Sequence, residues 1–100
     1  MSTMKRSTPV QISTEFRFQW EEAQQCFVLL YPEGMIQLNP SAGEILNRCQ
    51  QPTTIDAVIK DLEQSFPDAE GLAYDVIQFF QEVQGEGWLN FGSSTNQERL

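Results

Sequence analysis

The sequence predicts an α+β domain in which a three-stranded antiparallel sheet is followed by three helices. Three observations carry that expectation. Short alternating or continuously apolar runs give way near residue 39 to apolar positions spaced by three and four. Pro32 and Gly34, in "YPEG", supply the fixed and the permissive φ of a tight turn between two of the short runs. Helix-start signals at Asn39-Pro40 and Thr53 are matched by stops at Pro52, Pro67 and Gly85-Glu86-Gly87.

The 100 residues suffice for one domain. Polar, Ser/Thr-rich composition predicts a flexible N-terminal arm over 1–15 and a flexible tail over 92–100, leaving an ordered domain at 16–91. The first strand is "FRFQW", with Phe16, Phe18 and Trp20 on one face and Arg17 and Gln19 on the other. "EEAQQ" is the hairpin connection. "CFVLLY" (26–31) is apolar throughout, as in a strand covered on both faces. Met35, Ile36, Gln37 and Leu38 return as a shorter third strand.

Asn39 as N-cap and Pro40 at the first helical position predict a helix to about Cys49, with a competing capping box from Ser41 to Glu44. Thr53, with Asp56 three residues on, opens a second helix whose stripe is Ile55, Val58, Ile59, Leu62 and Phe66. A third helix should start near Asp68–Gly71 and end before Gly85, with Trp88, Leu89 and Phe91 as an apolar closing segment. Its apolar residues, Leu72, Ala73, Val76, Ile77, Phe79, Phe80 and Val83, span about 160° of the helix, more than one core-facing stripe of about 100° needs. Either the helix lies deep in the core, or one margin of that stripe lines a groove.

Composition narrows the function. The balance of 14 acidic to 6 basic residues, net −8, repels nucleic acid and anionic membranes and attracts cationic partners. There is no histidine, which removes the commonest general base and metal ligand. Cys26 and Cys49 lack CxxC spacing and sit among apolar residues, as buried free thiols do. The carboxylates fall mostly on the polar sides of helices, and the glycines match no phosphate-binding loop. No catalytic, cofactor-binding or metal-ligating residue emerges, so the expectation is a protein that is not an enzyme and needs no cofactor. The start, "MSTMKRSTPV", lacks a signal-peptide apolar region, and no apolar run approaches the ~20 residues of a membrane span. A cytoplasmic location is expected.

A binding role has more to work with. In a three-stranded meander the third strand is an edge, and Met35–Leu38 carries no charge, proline or bulge to blunt it. An extended peptide adding there would gain main-chain hydrogen bonds, with a margin of the third helix as a second wall. A structural subunit using the same edge to homodimerise is a rival.

"VLLYPEGMIQLNPSAGEIL" (28–46), with Asp75-Val76 and Gly87-Trp88-Leu89, resembles the PqqD family, the pyrroloquinoline quinone (PQQ) biosynthesis proteins D, over about 16–91. Gln50-Gln51-Pro52 departs from the glycine-containing turn expected there, which bears on loop shape. The resemblance implies a winged helix-turn-helix-like recognition fold for ribosomally made, modified peptides. It also implies a non-catalytic peptide chaperone that binds the precursor peptide PqqA and presents it to PqqE. That enzyme is a radical S-adenosylmethionine (SAM) iron–sulfur protein that cross-links a Glu to a Tyr of the peptide. Carried over to this chain, the peptide-binding positions are Met35, Ile36, Gln37 and Leu38 on the strand and Ala73, Ile77 and Phe80 on the helix. Asp75 would meet a basic peptide side chain; the alternative is that the opposite margin, Leu72 and Phe79, faces the groove. A monomer or weak homodimer is expected, without nucleic-acid or membrane partners. The alternative is a winged-helix DNA-binding regulator. Against it, "PDAEG" is longer than a tight DNA-binding turn, and residues 53–91 hold eight acidic residues and only Lys60.

Overall fold

The computed structural model describes residues 4–92. In chain order the elements are β1 (Pro9–Ile12), β2 (Arg17–Glu21), β3 (Cys26–Tyr31), β4 (Gly34–Gln37), α1 (Pro40–Asn47), β5 (Thr53–Thr54), α2 (Ile55–Ser65), α3 (Leu72–Val83) and β6 (Leu89–Phe91). Strands β2, β3 and β4 form the expected antiparallel meander in that order, and the three helices follow it.

The register places Phe18, Leu29 and Ile36 abreast on one face of the meander, and Gln19, Val28 and Gln37 on the other. Val28 and Leu29 are both fully buried, so the central strand is sealed on each side. Phe27 stacks on Phe18 at 4.7 Å between ring centroids and meets Trp20 edge-on at 5.0 Å. α1 packs over this aromatic group, with Gly43 facing the Phe27 ring.

A second sheet, of order β5-β1-β6, corrects the expectation of a flexible arm over 1–15. Val10 pairs with Thr53 on one side and Phe91 on the other, and Ile12 pairs with Leu89. Val10 and Ile12 are buried because β1 turns both of them into the core. Further anchors lie upstream: Asp56 N–H donates to Arg6 O at 2.7 Å, and Arg6 Nε donates to Asp56 Oδ1 at 2.8 Å. Residues 1–3 of the expected arm and 93–100 of the expected tail lie outside the described residues.

The helix starts follow local capping chemistry, with one shift. Asn39 Oδ1 accepts from Ala42 N–H at 2.8 Å and Pro40 opens α1, while no bond of the competing Ser41–Glu44 capping box forms among the described residues. The cap of α2 is Thr54, which accepts from Ala57 N–H at 3.1 Å, and Thr53, expected there, pairs with Val10 in β5. α1 ends at Asn47 rather than Cys49. Gly71 precedes α3 with φ +69°, a left-handed conformation that favours glycine.

The core joins both sheets to the buried faces of the helices: Ala42, Ile45 and Leu46 of α1, Ile55, Val58, Ile59 and Leu62 of α2, and Val76, Phe80 and Val83 of α3. Cys49 is buried in it and donates its thiol to Ile45 O at 3.4 Å, and burial pushes its pKa up to about 12. Cys26 is also a free thiol, but only half-buried. No helix among the described residues is long and apolar enough to cross a membrane.

Candidate functional site

In an antiparallel ladder, directly opposed residues alternate between pairs that exchange main-chain hydrogen bonds and pairs that do not. Leu38 N–H donates to Phe27 O at 3.0 Å, which makes that pair a bonded one. The register then makes Leu29 and Ile36 the next bonded pair, and leaves Val28 with Gln37 and Leu30 with Met35 as non-bonded ones. The N–H and C=O groups of Met35 and Gln37 therefore point away from β3, toward the outer side of β4. No other strand among the described residues pairs with that side.

The four strand positions thus do different work. Met35 and Gln37 are exposed and present the free main-chain groups. Ile36 is half-buried and Leu38 is 5% exposed, and both turn their side chains inward to fix the edge on the core.

Three residues beyond β4 an apolar groove opens, with a volume of about 360 Å³. Pro40, Ser41, Glu44 and Ile45 of α1 form one wall. Leu62 and Phe66, at the end of α2, form a second, and Leu72, Asp75 and Val76 of α3 a third. Phe66, expected in the core stripe of α2, is 43% exposed at this groove.

One margin of α3 faces the groove. Leu72 and Asp75 line it together, whereas Ala73 and Ile77 are half-buried on the other side of the helix. Asp75 is exposed and joins no ion pair among the described residues. Phe80, expected to meet the peptide, is fully buried between Phe79 and Phe91, with ring centroids at 5.7 and 6.0 Å. It lies at the centre of the buried stripe rather than at its margin, so it cannot touch a guest without the core opening.

One residue beside the groove gave no signal in the sequence. Arg48 bridges α1 and α2: its Nη1 donates to Glu44 Oε1 at 2.9 Å and Glu44 O at 2.8 Å, its Nε to Asp61 Oδ2 at 2.5 Å, and its Nη2 to Ser65 Oγ at 3.2 Å. A lone arginine after a helix is common, and nothing in the spacing marks this one. Among the described residues no cluster of three His, Cys, Asp or Glu side chains is placed to hold a metal ion.

An open sheet edge ending at a helix-lined groove is the layout of a small recognition domain. A solved structure with this fold is the solution NMR structure of a PqqD truncation of Methylobacterium extorquens PqqCD, described as a functional, stand-alone recognition element for ribosomally synthesised and post-translationally modified peptides. It matches with a TM-score of 0.69 at 19% identity, over 88% of this chain and 95% of that one.

The family model for Coenzyme PQQ synthesis protein D (PqqD) matches residues 26–89. A PqqA binding protein of Acinetobacter baylyi is 42% identical over 89% of this chain and 89% of its own length. Another from Stutzerimonas stutzeri is 46% identical over 74% of this chain and 80% of its own. The chain belongs to the PqqD family.

Proposed function

We propose that this chain is a non-catalytic adaptor in PQQ biosynthesis that binds the precursor peptide PqqA as an added strand. The peptide pairs with the outward N–H and C=O groups of Met35 and Gln37 and runs on toward the groove between α1, α2 and α3. There it lays an apolar side chain against Ile45, Leu62 and Leu72 and a basic one beside Asp75. Ala73 and Ile77 take no part in this placement. The adaptor then presents the peptide to the radical SAM enzyme PqqE in the cytoplasm, and makes or breaks no bond itself.

The observation that carries this reading is the unpaired outer side of β4 ending at the mouth of an apolar groove. The names of the relatives, PqqA binding proteins, support the choice of guest. The DNA-binding alternative gains no support, because the exposed residues of α3 include Asp75 and Glu82 and no cation to meet a phosphate.

Titration of the ¹⁵N-labelled protein with synthetic PqqA tests the proposal. Amide shifts should concentrate at Met35, Gln37, Leu72, Asp75 and Val76, with slowed hydrogen exchange at Met35 and Gln37. Shifts confined to Ala73, Ile77 and the opposite side of α3 would move the peptide elsewhere. In a PqqE reaction, adding this protein should raise the yield of cross-linked PqqA.

A further inference from the structure

We propose that Arg48, besides bracing α1 against α2, is a positioning residue for the guest peptide: it holds Glu44 neutralised, so that Asp75 is the groove's one uncompensated charge. This rests on the peptide-binding reading above.

Glu44 and Asp75 are the two carboxylates on the groove walls, and they differ in company. Glu44 is engaged by the Arg48 guanidinium, whose side chain is only 16% exposed. The same guanidinium reaches across to Asp61 and Ser65, each next in sequence to a groove residue, Leu62 and Phe66. The planar fork of arginine suits this two-sided grip; lysine, a single point charge, keeps a cation beside Glu44 but loses the reach to Asp61 and Ser65.

An apolar guest side chain entering the groove removes water from nearby charged groups, and a carboxylate stripped of water without a partner opposes that step. With Arg48 in place Glu44 keeps its partner as the guest enters. Asp75 then remains to favour a cationic residue of the guest.

Four proteins test this: Arg48→Gln, Glu44→Gln, the double variant Glu44→Gln/Arg48→Gln, and Arg48→Lys. Each is titrated into fluorescently labelled synthetic PqqA and melted in parallel. Arg48→Gln should bind about tenfold more weakly, equivalent to ~1.4 kcal/mol. Glu44→Gln is the reference for the double variant, which should bind within about threefold of it although the Tm of the double variant stays low. Arg48→Lys keeps a cation by Glu44 and should also stay within about threefold, which keeps the test open if Arg48→Gln does not fold.

A purely structural brace predicts instead that the double variant binds as poorly as Arg48→Gln, and that result overturns the assignment. So does unchanged binding by a folded Arg48→Gln protein. A parent protein that binds no PqqA overturns the adaptor reading, and this assignment with it.

Discussion

Gly43 lies so close to Phe27 that a Cβ at position 43 would come within 2.8 Å of the ring's Cδ2. Glycine is otherwise a poor choice inside a helix, by about 1 kcal/mol relative to alanine. Here it lets α1 approach β3. Gly43→Ala should therefore destabilise the protein by about 1–2 kcal/mol net of the helix-propensity gain, as urea denaturation would measure. Combining it with Phe27→Leu should cost less than the two single changes added together, because the smaller side chain makes room for the methyl.

Proline scanning separates the two sides of β4. Gln37→Pro removes an outward N–H, so the fold should survive while affinity for PqqA falls by about 0.5–1.5 kcal/mol or more. Ile36→Pro removes an N–H that bonds to Leu29 and should disrupt the sheet itself. Peptide binding by anisotropy and folding by circular dichroism tell the outcomes apart. A Gln37→Pro protein that folds and binds normally would exclude strand addition at this edge.

The N-terminal strand is tested by Ile12→Ala. Ile12 is 8% exposed in a core shared with Leu89 and Cys49, so truncation should cost about 2–5 kcal/mol and lower the Tm by several degrees. A trailing arm would predict no change.

Asp56 supplies a pH dependence. Its carboxyl is held below its ordinary value of 3.8 by hydrogen bonding to Lys60, against a smaller opposing effect of burial and with further help from Arg6. A folded-state value below the unfolded one means a contribution present above pH 3.8 and lost as the pH falls through the folded value. Asp56→Asn should lower stability at neutral pH and flatten that part of the acid limb in denaturation curves measured down to pH 2.5.

What was legible in the sequence was local. The YPEG turn, the Asn39-Pro40 start and the stop at Pro67 each act within a few residues, and the meander and three helices follow from them. The β5-β1-β6 sheet was not legible, because its pairings join residues 9–12 to residues 53–54 and 89–91, far away in the sequence. "PVQI" does alternate, placing Val10 and Ile12 on one face, but two apolar positions within a Ser/Thr-rich stretch are a faint signal. The separation of Asp75 from Ala73 and Ile77 was readable: at 100° per residue Asp75 lies about 60° from Leu72 and about 160° from Ala73. Phe80 falls at the middle of the same arc, where burial is expected. Arg48 was invisible because its role depends on how α1 and α2 cross.

The pairing of Val10 with Phe91 also sets a timetable. A chain emerging from the ribosome makes β1 first, yet β1 finds its second flanking strand only once residue 91 is free. Val10 and Ile12 have no finished shelter until then, so a nascent chain halted before Trp88 would hold its helices over an incomplete floor. Closing so distant a contact is slow compared with forming local helix pairs. The β5-β1-β6 sheet can close only after residues 89–91 have been made.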